Sequence, residues 1–292
     1  MKKSLRRKLI MSAVAVGAAA VGTTASTYAW FVSNNTVSTS EIQGDVVASN
    51  ANLSIKNSTD SSYGLTATPI LTGKTLSPLT LSNSKTGLVD VTNENQNTGY
   101  ITFSLSFQAT GIAQSSTLPL SITKVEVEDA DKDDEYTAIA DSQDTVKDSA
   151  GDNKITKGDR LKEDVTKALM LSYKADSTGS TAMTGADVTA ENTFHLNTEA
   201  ATYYGKQYYI DVMKTTNPSV ASSLPTCPEI SNGFDVDGTP SGTTKIADLS
   251  DTSSTVTIQF LIWLNGDDDA CFDVIASHNW TLKLTFELGT NN

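Results

Sequence analysis

Ile101-Thr102-Phe103-Ser104-Leu105-Ser106-Phe107-Gln108 alternates without a break between apolar and small polar side chains. A period of two places Ile101, Phe103, Leu105 and Phe107 on one face of an extended chain and Thr102, Ser104, Ser106 and Gln108 on the other. The segment therefore reads as a strand with one buried face. The same period returns near the end of the sequence, where Leu282, Leu284, Phe286 and Leu288 alternate with Thr281, Lys283, Thr285 and Glu287. A third run, Val256, Ile258, Phe260, Ile262 and Leu264, has Leu261 and Trp263 between its members. A strand apolar on both sides belongs at the centre of a sheet that is covered on both faces.

Weaker strand patterns run from Val46 to Ile55, Leu76 to Leu81, Leu120 to Val127 and Tyr203 to Met213, the last carrying Tyr204, Tyr208, Tyr209 and Ile210. Clusters of Gly, Pro, Asn and Asp separate them, and Ser, Thr, Asn and Gly dominate a chain poor in aromatics. Many short strands with little amphipathic helix predict a mainly all-β fold, an antiparallel β-sandwich of jelly-roll-like type. The interval 129–164 holds twelve acidic and six basic residues and few large apolar ones. It supplies little core and is expected as an acidic loop insertion that leads into a short helix. Asp159 would cap that helix, with Leu161, Val165, Ala168 and Leu169 on one face. Leu171 to Tyr173 then turns to strand, and 175–193 reads as a further loop, so the whole insertion spans about 129–200. No repeat at solenoid or propeller spacing is present.

The first 32 residues locate the protein. Lys2, Lys3, Arg6, Arg7 and Lys8 precede an uncharged run from Leu9 to Val32 containing Thr27-Tyr28-Ala29-Trp30-Phe31. A basic start, an apolar run and small residues before a cut are the pattern of a secretory signal peptide. Thr27 and Ala29 fill the small-residue positions, so cleavage is expected between Ala29 and Trp30. That makes 1–29 a leader and 30–292 one β-sandwich domain. An uncleaved membrane anchor is the competing reading, since about 20 apolar residues cross a bilayer. Either way the remainder lies outside the membrane, secreted or at the cell surface.

Loss of the five basic residues in 1–29 leaves 16 Lys and Arg against 34 Asp and Glu, a net charge of −18. Such a surface repels nucleic-acid phosphate and anionic lipid, so no nucleic-acid partner is expected and the membrane is met only through the leader. Cys227 and Cys271 are the only thiols. In an exported chain they either close a bridge across a long loop or stand as two separate small apolar residues, and the sequence leaves both open.

Motifs for chemistry are absent. His195 and His278 are the only histidines, neither belongs to an HExxH pair, and no GxSxG turn, Walker loop or dinucleotide fingerprint occurs. Both histidines read as ordinary strand or surface residues. Asp129, Asp131, Asp133 and Asp134 space hard oxygens as a calcium loop would, but the sixth position lacks Gly and Ala140 stands at the twelfth. A better frame places Asp148 at position one, Asp152 at five, Asn153 at six, Ile155 at eight and Asp159 at twelve, with Ala150 breaking position three. Calcium at Asp148, Asp152 and Asp159 is weighed against a solvated acidic loop, as it is for Asp267, Asp268, Asp269 and Asp273. No other cofactor is expected.

Thr27-Tyr28-Ala29-Trp30-Phe31 after a small-residue-rich apolar run resembles the signal peptides cut by a SipW-type signal peptidase, as found in the TasA/camelysin family of exported surface proteins. Ile262-Trp263-Leu264-Asn265-Gly266-Asp267-Asp268-Asp269-Ala270-Cys271, followed by Leu282 to Leu288, is similar to the closing strand pair of many proteins with this signal. Val165 to Tyr173 resembles a middle segment of the same group. The resemblance covers about a fifth of the chain. It implies a jelly-roll-like sandwich on the cell surface, in some relatives polymerising into biofilm matrix fibres. The metallopeptidase activity ascribed to camelysin relatives is not expected, because no zinc-ligand set is present.

The expected function is thus an exported, non-catalytic structural protein of the cell surface or extracellular matrix, self-associating or binding other surface proteins. Cleavage after Ala29 would free Trp30 to Ile42, whose Trp30, Phe31, Val32, Val37 and Ile42 either add as a strand to a neighbouring subunit or dock on their own sandwich. The alternative is a monomeric adhesin or carbohydrate-binding sandwich that stacks sugars on Tyr203, Tyr204, Tyr208, Tyr209 or Trp280. An enzyme with an unrecognised site is the least favoured reading. Leu224-Pro225-Thr226-Cys227 lies internally, without the context of a sorting signal.

Overall fold

The computed structural model describes residues 37–39, 42–46, 51–72, 76–81, 87–90, 99–142, 154–176, 181–216, 227 and 229–289. They form two packed sheets. The first has six strands, in the order β15 (Lys245–Ser250), β8 (Thr117–Asp129), β17 (Trp280–Leu288), β2 (Ile42–Val46) and β4 (Thr66–Ala67), with β1 (Val37–Thr39) also on β17. The second has nine. Its main path runs β14 (Pro240–Ser241), β13 (Gly233–Phe234), β12 (Thr193–His195), β11 (Leu169–Asp176), β16 (Thr255–Asn265), β5 (Pro78–Leu81) and β6 (Leu88–Asp90). β7 (Ile101–Thr110) pairs with β16 beside β5 and carries β3 (Asn52–Asn57) on its other side. β9 (Tyr136–Thr137) and β10 (Arg160–Leu161) make a separate ribbon. Most pairs are antiparallel; β1 and β2 on β17, β5 on β16 and β12 on β13 are parallel. The all-β sandwich expected from the strand patterns is the fold observed.

The alternating segments behave as their period requires. In β7 and β17 every second residue is buried, Ile101 to Ala109 and Trp280 to Leu288. Their apolar faces meet between the sheets, where Phe107 lies edge-on to Phe286 with ring centroids 4.8 Å apart and Phe103 stacks on its cross-strand partner Phe260 at 4.9 Å. β16 is central, with β11 along one side and β7 and β5 along the other, and it is buried continuously from Ile258 to Asn265. Ile258, Phe260 and Ile262 join the inter-sheet core. Leu261 and Trp263 point to the outer face, where they cluster with Leu79, Leu81, Leu88 and Met170 of neighbouring strands and are covered by Met183, Val188 and Ile230. The buried Trp263 indole N–H donates to Ser172 Oγ at 3.0 Å, and that hydroxyl in turn meets Thr193 Oγ1 at 2.8 Å. β8 keeps its alternation only to Ile122. A bulge opposite Thr285 and Phe286 shifts the inward positions to Val125, so one long strand serves two registers.

Three sequence expectations are corrected. Val46 to Ile55 is not one strand: β2 ends at Val46 in the first sheet and β3 begins at Asn52 in the second. The proposed helix from Asp159 is a single 3-10 turn, Val165–Ala168, capped by Asp164, whose carboxylate accepts from Thr166 N. Asp159 instead accepts from Thr156 N, and the chain extends at once into β11, which pairs with β16 over eight residues. Within the interval 129–200, Val165, Ala168, Leu169, Leu171, Phe194 and Leu196 enter the main core.

Tyr203 to Met213 is not a strand but contains most of the one α-helix among the described residues, α1 (Gly205–Thr216). Tyr208 and Val212 recur at the helical i, i+4 spacing and pack with Phe272 and Val274 in a satellite core. Asp269 accepts from Gly205 N through its carbonyl at 3.1 Å and from Lys206 N through its carboxylate at 3.3 Å, satisfying first-turn donors that have no partner within the helix. Gly205 is required there, because a Cβ would strike the Phe272 ring and the Asp269 carbonyl.

Truncating Phe286, which touches both Phe107 and Phe260 between the sheets, is expected to cost about 3–5 kcal/mol in Phe286→Ala. Equilibrium urea unfolding of the two proteins measures it.

Candidate functional site: the edge of the last strand

β17 is paired along its whole length with β8, Trp280 opposite Asp129 through Leu288 opposite Leu120. Its other side is completed piecewise. β1 aligns Val37 to Thr39 with Trp280 to Leu282, and β2 aligns Gln43 to Val46 with Thr285 to Leu288, both parallel. These two pieces come from the segment that follows the expected cleavage point. Because Leu282, Leu284 and Phe286 are held in the core, β17 cannot move to find another partner. Its outer N–H and C=O groups depend on whatever segment lies beside them.

Four other margins of the two sheets are blunted, while β3 beside β7 keeps a six-residue outer edge met, among the described residues, only by the bridge from Ile55 to Gly64. β15 presents Lys245 and Asp248, which pair at 2.7 Å and are about half exposed. β14 begins at Pro240, β4 has two residues and β6 has three. Charge, proline and shortness each hinder a strand from adding.

The β1 end of this edge adjoins buried acids. Asp129, ending β8, accepts from Asp131 N and Val165 N at 2.8 and 2.9 Å, and its Oδ2 is 2.7 Å from His278 Nδ1. Glu163 is fully buried and pairs with Lys167 at 3.1 Å while accepting from Thr202 N at 2.6 Å. Removing either partner of such a pair would leave an uncompensated buried charge. Asp273 accepts from Tyr136 OH at 2.7 Å through Oδ2, and its Oδ1 is buried with no hydrogen-bond partner among the described residues. Burial pushes the Asp273 carboxyl up to about 8. At neutral pH it is therefore largely the neutral acid, the form that a buried carboxyl short of partners favours. Burial and the adjoining Asp273 also raise Tyr136 and Tyr209 above the ordinary phenol value.

The residues singled out from the sequence fall in different places. The leader, with Ala29 and Trp30, lies outside the described residues, as do Asp148 and Asp152; among the described residues no helix is long and apolar enough to cross a membrane. Asp159 is described and bonds to Thr156, and no group of three His, Cys, Asp or Glu side chains among the described residues is arranged to hold a metal. Cys227 and Cys271 are free thiols. Cys271 is in the main core and Cys227 packs against the layer under Trp263, and burial raises both thiols. Tyr208, Tyr209 and Trp280 are buried and offer no stacking face, whereas Tyr204 is 38% exposed. Sequence reasoning missed Asp129, Glu163 and Asp273 as buried groups. Comparison with protein-family models, curated proteins and solved structures finds no match to this chain.

Asp273 gives a pH test. Its folded value near 8 lies above the usual 3.8, so its contribution to stability is complete below about pH 4 and is lost as pH rises through 8. Asp273→Asn removes that dependence. The variant is expected to gain stability over the native protein from pH 5 to pH 9, as read by urea midpoints across that range. A constant difference would show that the side chain does not titrate in this window.

Proposed function

We propose that this is an exported, non-catalytic structural protein of the cell surface or extracellular matrix that assembles by strand donation. The observation that carries the proposal is the piecewise completion of β17 by β1 and β2, in parallel register, from the segment that follows the expected cut. A nine-residue strand with a fixed apolar face and an edge closed by two short strands is the geometry in which an equivalent segment of a second copy can take the same place. The blunting of β15, β14, β4 and β6 supports this, and the remaining margin, β3, offers six residues against the nine of β17.

Export rests on the leader. The basic start, the apolar run and Thr27-Tyr28-Ala29 match a signal peptide, and their likeness to substrates of a SipW-type peptidase points to a surface role. The surface charge of −18 after cleavage keeps free subunits apart in solution, so assembly is expected to strengthen as salt rises.

Electron microscopy and sedimentation of the chain beginning at Trp30, at increasing concentration and salt, test the reading. Filaments are expected, and Gly44→Pro, placed opposite Phe286, is expected to abolish them while the circular dichroism of the sandwich persists. A chain with its end free that stays monomeric throughout would refute assembly.

A further inference from the structure

A cleft of about 550 Å³ opens at the exit of β16, a size typical of small-ligand pockets. One wall is the 195–204 segment with His195, Glu199, Tyr203 and Tyr204, and the other is the turn Asp267-Asp268-Asp269. The walls are tied together before any ligand arrives. Thr202 is held through its backbone N–H and its hydroxyl by Glu163, Asn197 Nδ2 donates to Thr166 Oγ1 at 3.0 Å, and Thr198 N donates to Phe234 O at 2.9 Å. Across the cleft, Lys206 pairs with Asp267 while its own N–H reaches Asp269. Pre-ordered walls spare a ligand the entropy of arranging them.

The lining has two chemical characters. Tyr203 is set edge-on against Phe272, centroids 6.3 Å apart, which fixes its ring, and Tyr204 beside it is exposed with no hydrogen-bond partner for its hydroxyl among the described residues. The floor is acidic. Asp268 gives one oxygen to Ala270 N at 2.8 Å and Asp269 one to Lys206 N at 3.3 Å, so each keeps a second oxygen for another donor. Burial above all, with the neighbouring Asp269 and Glu163, holds Asp268 up at about 6 against the opposing pull of Lys167. Tyr203 also lines a second cavity of about 470 Å³ with Thr156, Asp159 and Arg160.

We infer that this groove binds amino-sugar chains, the apolar face of a pyranose ring resting on Tyr203 and Tyr204 and its ammonium and hydroxyl groups directed to Asp268 and Asp269. An ammonium answers both the carboxylates and the aromatic faces. An anionic sugar would be repelled by the acidic floor, and a bare metal ion finds no set of three suitable ligands among the described residues. On this reading a further ring of the chain occupies the second cavity lined by Tyr203. The site is independent of the strand edge and would serve equally in a monomer or a filament.

Isothermal titration of the full chain with a glucosamine tetramer tests it, beside the N-acetylated tetramer and spermine as comparators. The glucosamine tetramer is expected to bind most tightly. Tyr204→Ala and Asp268→Asn are each expected to weaken it about tenfold with unfolding midpoints close to native, since Tyr204 is exposed and Asn is isosteric with Asp. Absence of binding, binding that neither substitution changes, or equal binding of spermine would each overturn the inference, the last by showing a simple sink for cations.

Discussion

Continuous burial of β16 is the constraint on which the architecture turns. Ile258 to Asn265 has no exposed face, so both sides of the strand must be covered by something. One side is met by the first sheet through Phe260 and Phe286. The other is covered around Trp263 by residues from the connecting segments, Met183, Val188 and Ile230, while Leu79, Leu81 and Leu88 of β5 and β6 extend the same apolar face within the sheet. The fold is thus a sandwich with an extra covering on one outer face, and the long excursions between strands exist largely to bring that covering back. The end of β16 is fixed by the same packing, and it delivers the acidic turn 267–269 against the start of α1.

Polar contacts then set how the excursions dock. Asp129 joins the end of β8 to the 3-10 turn and to the loop before β17, Glu163 and Lys167 hold the 195–204 segment through Thr202, and Asp273 anchors the β9–β10 ribbon through Tyr136. Each links segments far apart in sequence. In a low-dielectric setting such contacts discriminate strongly between the right docking and any other, because a misplaced partner leaves a buried charge or polar group unpaired. Their contribution is more to uniqueness of the arrangement than to its total stability. Apolar burial around Phe286 and Trp263 does most of the latter.

The sheet strands were legible because period two survives in them almost unbroken. Ile101 to Gln108 and Leu282 to Leu288 needed only the alternation, and the two-faced burial of β16 followed from Leu261 and Trp263. Tyr203 to Met213 misled because Tyr, Ile and Val favour strands locally, while what decides for helix is remote: Asp269 on the first turn and Phe272 under Tyr208. The same limit hid the buried acids. A sequence shows that Asp129, Glu163 and Asp273 carry carboxyls, and solvent is the natural partner to assign them. Only the fold shows His278, Thr202 and Tyr136 in that place. Of the cleft, Tyr203, Tyr204 and the Asp267 to Asp269 run were visible as separate features, but nothing in their spacing brings them to one groove.

Edge control would connect this packing to the proposed assembly. A sandwich that grows by strand addition must leave one edge open to a partner and close the rest, or it aggregates without order. Here the closures are of different kinds, an ion pair on β15, a proline on β14 and mere shortness at β4 and β6, while β3 and the side of β17 now held by β1 and β2 carry no such closure. The outer side of β17 is suited to be the open edge because its register is already set. The inward side chains of β17 are locked by the core, so an incoming strand meets a rigid template whose alternation permits only even shifts of alignment. A flexible edge would admit slipped pairings and branched growth, whereas a templated one admits a single repeated contact. The burial that makes β17 immovable within one molecule is therefore the same property that would keep a chain of such molecules in line.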